Sequence, residues 1–230
     1  MLLFLKNYFS VLQSVLFSPN AFFSARDPNW NEKPFTFAVF SAWIFALGLA
    51  IFIFFQQYVP LGQYLVEGIA GIKFLLILPV LILVGLVFFG ITFIILGAFL
   101  MLAWLFGYGF LGFLILNIAR LLGGKGDIKE ITSAFFYSSG ILNFLLLSLI
   151  WAGFLQKGLL SANFFVLGFN LIFFATVLYS LYIWSIILRR FCLLSGFKLG
   201  MVFLFLVLII LAKSFVLNKA ILPKIIGLLA

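Results

Sequence analysis

The chain has 230 residues, of which 67% are hydrophobic and only 8% charged, with a mean hydropathy of +1.37 and a net charge of +9. A soluble domain is nearer half apolar and about one-quarter charged, and a fold of this size has too little interior to hide so much apolar surface. The composition is that of an integral membrane protein, which excludes a soluble enzyme, a disordered tail and a disulfide-stapled secreted domain; the apolar runs are continuous rather than alternating at period two, which excludes an outer-membrane barrel.

Residues 1–33 read as a cytoplasmic N-terminal segment. Met1–Phe17 is apolar, with Lys6, Asn7, Ser10, Gln13 and Ser14 interspersed. No clear basic leader or small-residue cleavage site marks it as a signal peptide. An amphipathic helix on the membrane surface is expected, ended by Pro19.

Residues 34–218 read as the transmembrane domain and 219–230 as a tail. A hydrocarbon core of about 30 Å needs about 20 helical residues, and a central charge costs roughly 2.5–3.5 kcal/mol. Charge-free runs therefore mark the spans: Pro34–Val66, Phe74–Ala119, Ile131–Gln156, Gly158–Leu188 and the shorter Leu199–Ala212. The last reaches span length only if Lys198 and Lys213 snorkel outward. The second would make a helix of about 69 Å at 1.5 Å per residue, so a break is expected at Pro79 or across Gly107–Gly112. It is two spans or one span with an interfacial or re-entrant extension.

Loop charges favour the second of these. Basic residues number three before the first run (Lys6, Arg26, Lys33), then one (Lys73), three (Arg120, Lys125, Lys129), one (Lys157) and three (Arg189, Arg190, Lys198). Such alternation is what the positive-inside rule gives for one crossing per run with the N-terminus in the cytoplasm. The expected fold is an all-α bundle of five spans, with six as the alternative, in the cytoplasmic membrane. Lys213, Lys219 and Lys224 then fall outside, against the rule. Trp30, Tyr58, Tyr64, Trp151 and Trp184 lie near run ends, where amphipathic rings favour the interface; Trp43 and Trp104 lie deeper, as packing residues.

Two loops share the cytoplasmic side. In Ala119–Glu130, Gly123 and Gly124 suit a tight reversal, and Asp127 is placed to cap the next helix with Glu130 three residues on. Glycine-rich backbone with Lys125 and Lys129 nearby could also hold an anion, but the nucleotide-binding spacing is absent. In Leu188–Lys198, Arg189 and Arg190 set orientation; the functional alternative is an acidic partner or lipid phosphate gripped by both guanidiniums. Within the runs, Asn117, Asn143, Asn163 and Asn170 are expected to bond across helices. A polar translocation path is the sharper alternative, although it lacks a buried charge.

Catalysis finds little footing. There is no histidine, one cysteine (Cys192) and five acids: Asp27, Glu32, Glu67, Asp127 and Glu130. There are too few ligands for the usual zinc or iron sites, and no histidine-based triad can be assembled; Asp127 with Glu130 is the one acid pair left for catalysis and is better explained as a cap, and no cofactor is expected. The basic residues sit between apolar runs, where they meet anionic head groups rather than nucleic acid.

Three segments carry a resemblance. Leu16-Phe17-Ser18-Pro19-Asn20-Ala21-Phe22-Phe23 is similar to the leucine-x-x-proline-x-x-phenylalanine-phenylalanine entry of the Yip-domain membrane proteins, named for interaction with Ypt/Rab GTPases. Arg120–Gly126 followed by Tyr137-Ser138 resembles that family's Gly-Gly loop and tyrosine-bearing helix. Arg189–Lys198 resembles the loop before its last span. Ile141 stands where the family often has proline, and Cys192 where it often has histidine. The long N-terminal region of the eukaryotic members is missing, so Rab binding is not carried over. The resemblance implies a prokaryotic-type, five-span protein with a cytoplasmic N-terminus. A non-enzymatic scaffold or membrane-organising factor is expected, with a protein partner or a second copy at its loops. Lipid or small-solute permeation is the alternative. Cys192, the sole thiol, should then lie on the cytoplasmic side.

Overall fold

A computed structural model of the chain describes residues 2–24, 33–67, 69, 72–156, 161–216 and 219. Arg26, Asp27, Trp30, Glu32, Lys157 and Lys224 lie outside these, as do the side chains of Lys6, Trp151 and Lys213. The described residues are helical nearly throughout, with no strand among them. In chain order the helices are α1 (Leu2–Phe17), α2 (Pro19–Ser24), α3 (Pro34–Ile53), α4 (Val59–Val66), α5 (Ile72–Leu121), α6 (Ile128–Ser138), α7 (Leu147–Gln156), α8 (Ala162–Phe191) and α9 (Gly196–Val216). Among the described residues, four stretches are long and apolar enough to cross a membrane: Pro34–Val66, Ile72–Leu121, Ile128–Leu149 and Asn163–Phe191. That set of helices is the signature of a membrane protein.

The internal breaks fall where local chemistry did not place them. α5 runs unbroken for 50 residues, through Pro79 and through Gly107–Gly112, so the break expected in this run does not form. Glycine costs a helix about 1 kcal/mol in water. In an apolar surround an opened backbone costs several times that, because no water replaces the lost bonds. The first run instead carries a π turn at Phe54–Tyr58 joining α3 to α4. The third tightens to a 3-10 segment at Ser139–Leu146 between α6 and α7.

Packing explains where the helices touch. Ala38, Ala42, Ala46 and Ala50 are fully buried at four-residue spacing on α3, a small-residue edge that lets neighbours approach closely. Aromatic knobs sit over glycines of α5: Trp43 of α3 covers Gly97, and Tyr58 of the π turn covers Gly85. The Trp43 ring also meets Phe93 edge-on at 5.0 Å, and Phe45 meets Trp104 at 5.3 Å. Gly97→Ala would drive a methyl into the Trp43 ring. Thermal melting in detergent should show a loss of about 1–3 kcal/mol.

The N-terminal helix does not stand apart. Val15 is fully buried, the Tyr8 ring stacks on Phe37 at 4.9 Å, and Leu12 lies against Gly140. The Tyr179 hydroxyl of α8 donates to the carbonyl of Leu16. α1 is therefore seated between α3, the 3-10 segment and α8.

Candidate functional site

The first loop is built from its own backbone. Beyond α5, the Gly123 N–H donates to the Arg120 carbonyl at 2.9 Å and the Gly124 N–H to the Ala119 carbonyl at 2.8 Å. Gly123 holds φ +80°. This is the two-bond stop that closes many helices, with glycine at the left-handed position. The Arg120 guanidinium then donates to the Gly126 carbonyl at 3.1 Å. The Asp127 carboxylate accepts from the N–H groups of Lys129 at 3.2 Å and Glu130 at 3.4 Å, capping α6 as its spacing predicts. Asp127→Ala should lower the melting free energy by about 1 kcal/mol.

The second loop ends α8 less comfortably. The N–H groups of Cys192 and Leu194 both donate to the Leu188 carbonyl, at 3.1 and 3.4 Å. Leu193 takes φ +54°, a conformation that disfavours a side chain by roughly 1–2 kcal/mol. Its side chain is 67% exposed, so little packing is lost without it. Leu193→Gly should stabilise the chain by about 1 kcal/mol in a thermal melt.

These two loops are latched together. The Lys125 N–H donates to the Cys192 carbonyl at 3.1 Å. Gly124 lies against the same carbonyl, Gly126 against that of Phe191, and the Lys198 ammonium stands beside Gly123. α2 packs onto the same end of the bundle: Phe23 meets Phe191 edge-on at 6.4 Å and Phe22 meets Tyr137 at 5.1 Å. The three segments that carry the sequence resemblance thus converge in space. Arg120, Lys125, Lys129, Arg189, Arg190 and Lys198 all remain exposed around them. So do the apolar side chains of Leu121, Leu193 and Phe197. A rim of cations with apolar residues between them can hold phosphate or carboxylate while resting on acyl chains.

Cys192 sits inside the latch and is fully buried. Burial pushes its thiol up to about 11, opposed in part by the Arg120 charge. The neutral thiol is therefore the folded form at neutral pH. Its contribution to stability is whole below the ordinary cysteine value of 9.0 and is lost as pH rises from there towards 11. Maleimide at pH 7.5 should leave folded protein unmodified and label it after denaturation, so an orientation assay needs an engineered thiol.

The four asparagines do not form a connected path among the described residues. Asn143 alone bonds across helices, donating to the Tyr8 hydroxyl at 3.3 Å. Asn117 is exposed and donates to the Phe113 carbonyl of its own helix at 2.8 Å. Asn163 is exposed at the start of α8, and Asn170 lines a groove between α8 and α9. Sequence reasoning missed Tyr8, which also shares a 2.9 Å hydrogen bond with Ser41. It missed as well a half-open cavity of about 420 Å³ between α5, the 3-10 segment and α8. Trp184, expected at an interface, is half-buried beside that cavity and donates to the Ser138 hydroxyl at 3.1 Å.

No group of three or more histidine, cysteine, aspartate or glutamate side chains is placed to hold a metal among the described residues. No protein-family model matches the chain, and no curated protein or solved structure matches it.

Proposed function

We propose that this chain is a five-span protein of the cytoplasmic membrane, with its N-terminus inside, acting as a non-enzymatic interaction scaffold through its latched loops. The observation that carries the reading is the joining of two basic loops, distant in sequence, into one cationic face. α9, with 21 residues, supplies the fifth crossing, since about 20 suffice. α1 and α2 lie at the cytoplasmic boundary, where the Yip-like entry motif also belongs. Anionic head groups and an acidic protein surface are the partners that such a rim fits.

Two experiments test this. For orientation, Ser195→Cys in a Cys192→Ala background should react with a membrane-impermeant maleimide only after permeabilisation; labelling of intact cells would refute the inside placement. For the scaffold role, a stoichiometric partner co-purified in nanodiscs should be lost when Lys125, Lys129, Arg189 and Arg190 all become Gln. It should survive Lys-to-Arg and Arg-to-Lys exchange at the same positions. Retention by the folded, correctly oriented Gln variant would sink the idea.

A further inference from the structure

We propose that the cavity between α5, the 3-10 segment and α8 binds an uncharged, membrane-dissolved lipophile that carries a hydrogen-bond acceptor. Trp104, Gly107 and Tyr108 of α5, Leu145 of the 3-10 segment, and Thr176 and Ser180 of α8 bound it. Its volume of about 420 Å³ falls within the range of small-molecule sites, about 300–1,000 Å³. The walls are apolar apart from a few convergent polar groups, as such sites are.

Those polar groups select the ligand. The Thr176 hydroxyl donates to the Ile172 carbonyl and the Ser180 hydroxyl to the Thr176 carbonyl, each at 2.8 Å. Their protons are already engaged by their own helix. Tyr108 and Trp104 differ: each is only 8% exposed. Among the described residues the Tyr108 hydroxyl meets no acceptor; the Trp104 indole N–H lacks one as well but is wholly enclosed, so the donor open to the cavity is Tyr108. A donor left without a partner in an apolar interior is unfavourable, and an incoming acceptor removes that penalty. A pure hydrocarbon would fill the volume and leave the Tyr108 hydroxyl unmet.

Depth excludes a charged ligand. Tyr108 lies about 18 Å along α5 from Arg120 at 1.5 Å per residue. With Arg120 at the membrane surface, as proposed above, that is close to the middle of a hydrocarbon core of about 30 Å. An ionic head group is strongly disfavoured there. Only this depth argument rests on the proposed membrane placement; the cavity and its Tyr108 donor do not.

The test uses the full chain in phosphatidylcholine nanodiscs and native mass spectrometry. Three probes are titrated: decylubiquinone, dioleoylglycerol, and decylbenzene as a hydrocarbon without an acceptor. Saturable binding of at least one acceptor-bearing probe, one per chain, is expected, and no saturable binding of decylbenzene. Binding of decylubiquinone alone identifies a ring carbonyl as the source of the acceptor, and of dioleoylglycerol alone a glyceride ester. Gly107→Leu should abolish binding while folding normally, because a side chain there enters open space. Tyr108→Phe should weaken it about tenfold, the loss of one hydrogen bond, without lowering the melting temperature. The proposal is overturned if neither acceptor probe saturates, if decylbenzene binds as well, or if both folded variants bind like the parent. Charge exchange in the loops reads out the scaffold proposal separately, since none of those residues bounds the cavity.

Discussion

Gly124→Ala should lower stability by about 3 kcal/mol, the upper end for overpacking. For a chain of this size that is a fall of roughly 6–12 °C in melting temperature. The reason is what the added methyl would meet. Its Cβ would lie 2.8 Å from the Ala119 carbonyl oxygen and 2.9 Å from that of Cys192. Neither is the tip of a flexible side chain. One belongs to the stop of α5 and the other to the start of the second loop, so relief requires one loop to leave the other. The Lys125–Cys192 hydrogen bond of 3.1 Å would be lost with it. Gly107→Ala is the matched comparison, because its Cβ meets nothing within 4 Å and alanine is the better helix former. Equal melting of the two variants would show that the loops are not latched. Gly124→Ala should also expose Cys192 to maleimide at pH 7.5, which a purely local defect in α5 would not do.

That glycine shows how far local reading reaches. The Gly123-Gly124 reversal and the Asp127 cap follow from short-range chemistry, in which each residue satisfies backbone groups two to five positions away. They were legible for that reason. The latch is a pairing of Lys125 with Cys192, and nothing in either segment names the other. Gly126 looks like further turn chemistry, yet its added Cβ would lie 2.9 Å from the carbonyl of Phe191. The opposite error occurred at Gly107–Gly112, where punctuation rules calibrated in water predicted a break. The apolar surround of α5 keeps its backbone bonds closed. The alanine edge of α3, at four-residue spacing, was passed over in the sequence and emerges only from burial. The cavity was not legible, since its walls come from four segments, α5, the 3-10 segment, α8 and Leu206 of α9, brought together only by packing. Asn143 was recognised as polar glue; its partner, Tyr8, lay in a segment read as resting on the membrane surface.

Tyr8→Ala is the second large effect, with an expected loss of about 3–5 kcal/mol, the usual range for a buried aromatic. Tyr8 is 4% exposed and does two jobs. Its ring stacks on Phe37 at 4.9 Å. Its hydroxyl shares a 2.9 Å hydrogen bond with Ser41 and accepts one of 3.3 Å from Asn143. Among the described residues the Asn143 carbonyl oxygen already lacks a partner, so removing Tyr8 strands the amide nitrogen too. Tyr8→Phe separates the two jobs: it keeps the ring and drops the hydroxyl, for about 1–2 kcal/mol. Adding Asn143→Leu should recover most of that loss, because replacing both partners by apolar groups of similar shape leaves no orphaned amide. If Tyr8→Phe/Asn143→Leu were no more stable than Tyr8→Phe alone, the hydrogen bond would carry no weight. Hydrogen exchange locates the effect. With alanine at position 8, amides of α1 should lose protection first. The contacts of Phe22 with Tyr137 and of Phe23 with Phe191 should loosen next, because α1 holds α2 against the loops. The polar cluster seating α1 then acts on the cationic face from a distance, through α2.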